Sequence, residues 1–214
     1  FDKPAYKNVI CAGYIVDEKG EKMSKSKGNI IEPKEIIDKT GVDAVRLQFC
    51  TTDVGNIKRF SLGLMQESVI PFLTMLYNIN NFYKQLDNKK IAKLRIEDKW
   101  ILSRLNSTIE KVTKELENFH LDTPFEAIRN FVVNDFSRGY IQMTRDRDDI
   151  KEIVREVLEK VSLLIAPFAP YISEFIYQNF SKESVHLSEW PKTEMKKIDI
   201  GLEKRMENTM KVIE

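Results

Sequence analysis

The chain has 214 residues, 42% hydrophobic and 31% charged, with a formal net charge of +1. That balance is globular, which excludes a disordered or low-complexity chain, and the near-zero charge excludes a global basic field, so any nucleic-acid surface must be local. Its length suits one large domain, or one domain with part of another, and no signal peptide or long apolar span occurs.

With two ordinary thiols and many Lys and Glu, the expected setting is a reducing cytoplasm without a membrane partner. Cys11 and Cys50 belong to no CxxC; His120 and His186 are isolated from both, so no metal site is expected. A Cys11–Cys50 disulfide stays open. The chain starts at Phe1 and stops inside a helical pattern at Val212-Ile213-Glu214, and it reads as a portion of a longer protein.

In chain order, Tyr6 to Val16 is apolar and rich in β-branched and aromatic residues, the pattern of a buried strand. Asp17-Glu18-Lys19-Gly20 is a turn. Pro33 fits the first turn of a helix running to about Lys39; Gly41 breaks it, and Asp43 to about Cys50 is another. Asp53 to Phe60 is polar and glycine-containing and is read as a domain boundary. Met65, Val69, Phe72, Leu76, Ile79, Tyr83 and Leu86 then mark one apolar helix face, with Pro71 expected to kink it or to mark a local break.

After a basic connection over 88–96, Asp98 is placed as the cap of a second helix. Its buried side is Ile101, Leu105, Ile109, Val112, Leu116 and Phe119. Thr123-Pro124-Phe125-Glu126 reads as a capping box with proline at the first helical position. That third helix passes Ile128, Val132, Phe136 and Tyr140 to about Arg145. Asp148 or Asp149 opens a fourth, with Ile150, Val154, Val157, Val161 and Leu164 inside. Pro167 and Pro170 interrupt it, a further helix covers Tyr171 to Phe180, Ser184 to Trp190 is extended, and helical spacing resumes from Gly201. The expected fold class is mostly α: a helical bundle on the C-terminal edge of an α/β, Rossmann-like domain.

The stretch with chemistry is Lys22-Met23-Ser24-Lys25-Ser26-Lys27-Gly28-Asn29. Compact ammonium groups beside small hydroxyls on a glycine-hinged loop suit a polyphosphate. It is not a Walker loop, because no GxxxxGK[ST] occurs. KMSKS followed by Gly28-Asn29 resembles the signature loop of class I aminoacyl-tRNA synthetases. Val9 to Val16, Ile31-Glu32-Pro33 and Gly41-Val42-Asp43-Ala44-Val45-Arg46 extend the likeness to the branch that charges isoleucine, valine and leucine. Phe131 to Arg147 and Glu183 to Pro191 are most similar to isoleucine-charging enzymes of the archaeal and eukaryotic type.

The resemblance implies four parts: residues 1–35, the end of a catalytic domain with the loop; 36–60, a stem-contact region; 61–190, an α-helical anticodon-binding domain; and 191–214, the start of a C-terminal extension. It implies ATP with Mg2+ as the substrate complex and tRNA, an isoleucine acceptor, as partner, with isoleucine itself held by another part. Lys25 would contact the ATP phosphates with Lys22 assisting, Ser24 and Ser26 shaping the loop and Met23 anchoring it. The family's second signature, His-x-Gly-His, does not occur in these 214 residues, so this portion is expected to make no adenylate alone.

Arg138, Arg145, Arg147, Lys151 and Arg155 cluster along the sequence around Tyr140 and form the candidate tRNA face, with Trp190 as a stacking platform. The same arginines also suit a helix C-terminus, Asp146, Asp148 and Asp149 offset them, and Trp190 also suits packing. A valyl or leucyl enzyme, and a non-catalytic tRNA-binding module, remain open alternatives.

Overall fold

The computed structural model describes residues 3–213; Phe1 and Glu214, where the chain begins and ends, lie outside the described residues, as do the side chains at 212 and 213. Strand β1 (Ile15–Val16) leads through the lysine-rich loop to α1 (Pro33–Thr40) and α2 (Val42–Phe49), and then to strand β2 (Lys58–Arg59). Next come α3 (Leu62–Glu67), α4 (Val69–Gln85), α5 (Ile96–Glu117) and α6 (Asp122–Asn130). A π-helical segment (Phe131–Ile141) continues α6, and α7 (Lys151–Ile165), α8 (Pro170–Tyr177) and α9 (Ile200–Ile213) complete the order.

The expected strand over Tyr6 to Val16 is the largest correction. Only Ile15 and Val16 pair, parallel to Lys58 and Arg59, while Tyr6 and Val9 are 67% and 62% exposed. Apolar, β-branched sequence makes a buried strand only where partners and a covering layer exist. Among the described residues β2 is the one partner strand, beside a single antiparallel bridge from Val16 to Lys22. The short pair nevertheless positions the site, because Phe60 N donates to Val16 O at 3.0 Å and Lys58 N to Tyr14 O at 2.8 Å. Gly13 permits the approach: a Cβ there would lie 2.0 Å from Asn56 O.

One hydrophobic cluster runs through α2, α4, α5, α6, the π-helical segment, α7 and α8. Trp100, Phe125, Phe131, Phe136 and Tyr140 are wholly buried in it, each aromatic contributing several kcal/mol at roughly 25 cal/mol per Å². The alternating positions on α4 lie where their spacing placed them. The break comes at Ser68, whose hydroxyl donates to Leu64 O at 2.7 Å. Pro71 falls in the first turn of α4, where its missing N–H costs nothing, so it does not kink the helix.

Three further helix starts and ends differ from expectation. Asp98 sits inside α5; its Oδ2 accepts from Arg95 N at 2.9 Å, and the side chain is otherwise consumed in a buried cluster. Thr123 is no cap: α6 begins at Asp122 and the hydroxyl donates to Glu115 Oε2 at 3.2 Å. Phe119, expected on the buried side, is half exposed at a φ of 64° just past the end of α5. In the last loops, the extended reading of 184–190 gives way to a helical turn at Val185–Leu187, where Glu174 Oε2 accepts from Val185 N at 2.8 Å.

The segment that resembles the family at 41–46 bolts α2 to the bundle. Asp43 accepts from Tyr171 N at 3.3 Å and Ile172 N at 2.7 Å, capping α8 from a distance. Arg46 donates to Pro167 O at 2.7 Å and Phe168 O at 3.1 Å, taking carbonyls left over at the end of α7. A carboxylate at a helix start and a guanidinium at a helix end both complement the backbone's unpaired groups and its dipole.

Candidate functional site

The loop is built from its turns outward. Asp17 Oδ1 accepts from Lys19 N at 3.0 Å and Glu21 N at 2.8 Å, and the chain reverses at Gly20 with a φ of 85°. Lys22 then makes an antiparallel bridge to Val16, and Lys25–Lys27 forms one helical turn that ends at Gly28 with a φ of 67°. Asn29 clamps the turn: its amide donates to Asp17 Oδ2 at 2.8 Å while its oxygen accepts from Ser24 N at 3.0 Å. That bond from Asn29, with the backbone bond from Glu21, holds the Asp17 carboxyl below its ordinary range.

The structure gives the three lysines different surroundings. Lys27 is neutralised by Glu21 at 3.0 Å. The Lys22 ammonium lies 4.6 Å from the centre of the Tyr14 ring. Lys25 is exposed on the turn and meets no carboxylate among the described residues. The Ser24 and Ser26 hydroxyls lie 3.2 Å apart, and Met23 packs its half-buried side chain against the main core. The arrangement presents an unpaired ammonium and two hydroxyls to solvent from a backbone anchored to β1 and the bundle, which suits anionic oxygens.

The basic residues around the third and fourth helices do not form one patch. Arg147 is 9% exposed and fully engaged: it donates to Glu97 at 2.7 Å, to Asp98 at 2.9 and 3.1 Å, and to Asp149 at 2.9 Å. Burial alone would lower its pKa, but bonds to Asp149 and Asp98 hold it above the usual range. Tyr140, pushed up by burial and by its 2.7 Å bond to Asp98, is interior. Lys151 donates to Leu86 O at 2.6 Å beside the Tyr83 ring. Trp190 is half-buried against the core, with its indole N–H on Thr113 Oγ1 at 2.8 Å. Arg138, Arg145 and Arg155 are exposed.

Arg138 belongs to a site that sequence reasoning missed. A groove of about 1010 Å³ lies between α5, the π-helical segment and α9, and Asn130, Asn134, Arg138 and Gln142 line it. These are four residues apart. On an α-helix that spacing drifts around the axis by about 40° per step, whereas a wider helix closed by i→i+5 bonds turns less per residue and keeps the row nearer one line. The floor is Trp100, which approaches because residue 139 is glycine; a Cβ there would lie 2.8 Å from the indole ring. Arg104 holds the groove's base, paired with Asp135 at 2.9 Å and Glu203 at 3.0 Å. Burial pushes the Asp135 carboxyl up although Arg104 pulls it down. The repeat of Asn, Asn, Arg and Gln was visible in the sequence, but only the helix geometry gives the spacing meaning.

Folding also gathers three residues from two distant stretches of the sequence. Folding brings His120 beside Asp53 and Asp122, with ligand-type atoms within 4.8 Å of one another, where the sequence showed no metal-ligand spacing.

Residues 98–214 match the family described as the anticodon-binding domain of tRNA ligase. The chain belongs to that family. Residues 1–61 match a second family, the class I tRNA synthetases for I, L, M and V. Among similar relatives, an isoleucine–tRNA ligase of Thermococcus kodakarensis is 41% identical over 100% of this chain and 22% of its own length. One of Deinococcus radiodurans is 39% identical over the same shares, 100% and 22%. The chain thus spans about a fifth of the length of the curated relatives it matches. A LeuRS of Agrobacterium radiobacter, solved in a ternary complex with tRNA and LeuAMS, has the same fold, with a TM-score of 0.72 at 23% identity. That match covers 88% of this chain and 24% of the other. The mostly α class and the helical anticodon-binding architecture are therefore those of the family. Among the described residues no helix is long and apolar enough to cross a membrane.

Proposed function

We propose that this chain is the ATP-loop and anticodon-binding portion of a cytoplasmic isoleucine–tRNA ligase. The observation that carries the reading is the Lys22–Asn29 loop, with the Lys25 ammonium unpaired on a turn clamped by Asn29 and tied through β1 and β2 to the bundle. Identity near 40% to isoleucine–tRNA ligases across the whole chain supports the choice of amino acid.

In this reading the carboxylate of isoleucine attacks the α-phosphate of ATP, supplied with Mg2+, and pyrophosphate leaves. Lys25 closes on the departing phosphates, Lys22 assists, and Ser24 and Ser26 donate hydrogen bonds. The loop acts by positioning and charge stabilisation and needs no proton transfer of its own. The bundle holds the anticodon stem-loop. Asn130, Asn134, Arg138 and Gln142 present paired donors and acceptors to unstacked base edges along the groove, and Arg145 and Arg155 meet phosphates.

Two measurements test it. In the intact enzyme Lys25→Ala lowers isoleucine-dependent pyrophosphate exchange by about 10²–10³ with little change in isoleucine affinity; unchanged exchange refutes the role. Titration of the chain with isoleucine and valine tRNA transcripts over a salt series shows an anticodon-dependent preference for the isoleucine tRNA. Equal binding that collapses with salt means phosphate contact alone and refutes base recognition by the groove.

A further inference from the structure

We propose that Asp53, His120 and Asp122 form a binding site for one zinc-class divalent cation, which staples the loop after α2 to the α5–α6 corner of the bundle. The inference is independent of the tRNA-ligase reading.

Each ligand is placed by local structure. Asp53 Oδ1 accepts from Gly55 N at 2.9 Å, which leaves Oδ2 turned toward His120. At the end of α5 the His120 N–H returns to Glu115 O at 3.0 Å and that of Phe119 to Leu116 O at 3.0 Å. Phe119 itself is left-handed, and the reversal there throws the imidazole of His120 across the corner. Asp122 is the first residue of α6.

The distances suit a metal better than a hydrogen bond. His120 Nδ1 and Asp53 Oδ2 are 3.5 Å apart, beyond the usual range for an N–H···O contact. Two ligands about 2.0–2.2 Å from a tetrahedral ion lie roughly 3.3–3.5 Å from each other. Contraction of the three atoms from their present spread, within 4.8 Å, completes a site.

A second observation points the same way. Asp122 Oδ1 is closed to solvent and has no hydrogen-bond partner among the described residues. A carboxylate oxygen shut from water without a donor is costly, and a cation beside it removes that cost. Two carboxylates balance a dipositive ion, and an imidazole favours zinc over magnesium or calcium. The Asp53 and His120 side chains remain open enough to solvent for a water to take a fourth position.

The test titrates metal-free full chain with Zn2+ against a chromophoric chelator at about pH 7.5 and repeats it with Co2+ to read geometry from the visible spectrum. One equivalent binds, the cobalt bands have tetrahedral intensity, and the melting temperature rises. His120→Gln and Asp53→Asn keep the circular dichroism of the parent. Each weakens zinc binding by more than the tenfold to hundredfold typical of losing an outer-shell partner. Cys11→Ser, which removes the exposed thiol, binds as the parent does. Absence of saturable binding, binding unchanged in His120→Gln, or binding lost in Cys11→Ser overturns the proposal.

Discussion

Arg147→Ala, set beside Arg145→Ala, separates a buried structural cation from a solvent-exposed one. The guanidinium makes four hydrogen bonds, two of them to Asp98, whose side chain is inaccessible. Without it Asp98 retains only the Tyr140 hydroxyl and Arg95 N, and the carboxylates of Glu97 and Asp149 face it unopposed. Removing one partner of a buried pair costs about 3–5 kcal/mol. The Glu97 and Asp149 bonds, partly solvated, add less than about 1 kcal/mol each. With a urea slope of about 2–3 kcal/mol/M, the unfolding midpoint followed by far-UV circular dichroism falls by roughly 1–3.5 M. Arg145→Ala, two residues earlier and exposed, stays within about 0.5 kcal/mol of the parent. A loss below about 1 kcal/mol in Arg147→Ala, or an equal loss in both variants, refutes the argument that Arg147 is structural.

Four further outcomes follow from the geometry. Asn29→Ala removes both clamps on the lysine loop, so amide exchange at 24–29 accelerates while the bundle is unchanged. Because the Asp17 carboxyl is held below its ordinary value of 3.8, its contribution to loop order is complete above that pH. The contribution is lost as pH falls through the depressed value, which exchange measured over an acid series detects. Gly139→Ala forces a methyl against Trp100 and destabilises by about 1–3 kcal/mol, read from the melting temperature. Glu203→Ala strands Arg104 with Asp135 alone and leaves the Ser103 and Ser107 hydroxyls without their acceptor. The α9 segment should then be cut by protease before the rest of the chain, and uniform resistance would show that this network does not hold it.

Local signals were legible in the sequence wherever the cause was local. Apolar spacing located the inner faces of α4, α5 and α7, because a helix buries whichever stripe its own period creates. Pro33 and Gly41 marked a start and a stop through their own backbone limits. The order of residues at 22–29 pointed to the family from the sequence alone. The strand at 6–16 failed for the opposite reason: pairing partners and a covering layer are not properties of the segment.

What only the tertiary structure decided is which charges are free. In sequence, Arg138, Arg145, Arg147, Lys151 and Arg155 are equivalent cations within one short stretch, and Lys22, Lys25 and Lys27 are likewise alike. Folding spends Arg147 on carboxylates from α5 and the turn before α7, Lys151 on a carbonyl at the end of α4, and Lys27 on Glu21. It leaves Lys25 exposed on the lysine-rich loop and Arg138 in the groove. The sequence by itself determined the helices, the loop and the family, since those follow from near neighbours. The division of labour among like charges was set by residues as far as 65 positions away, because a charge is silenced by whatever opposite partner or carbonyl the fold brings within bonding distance.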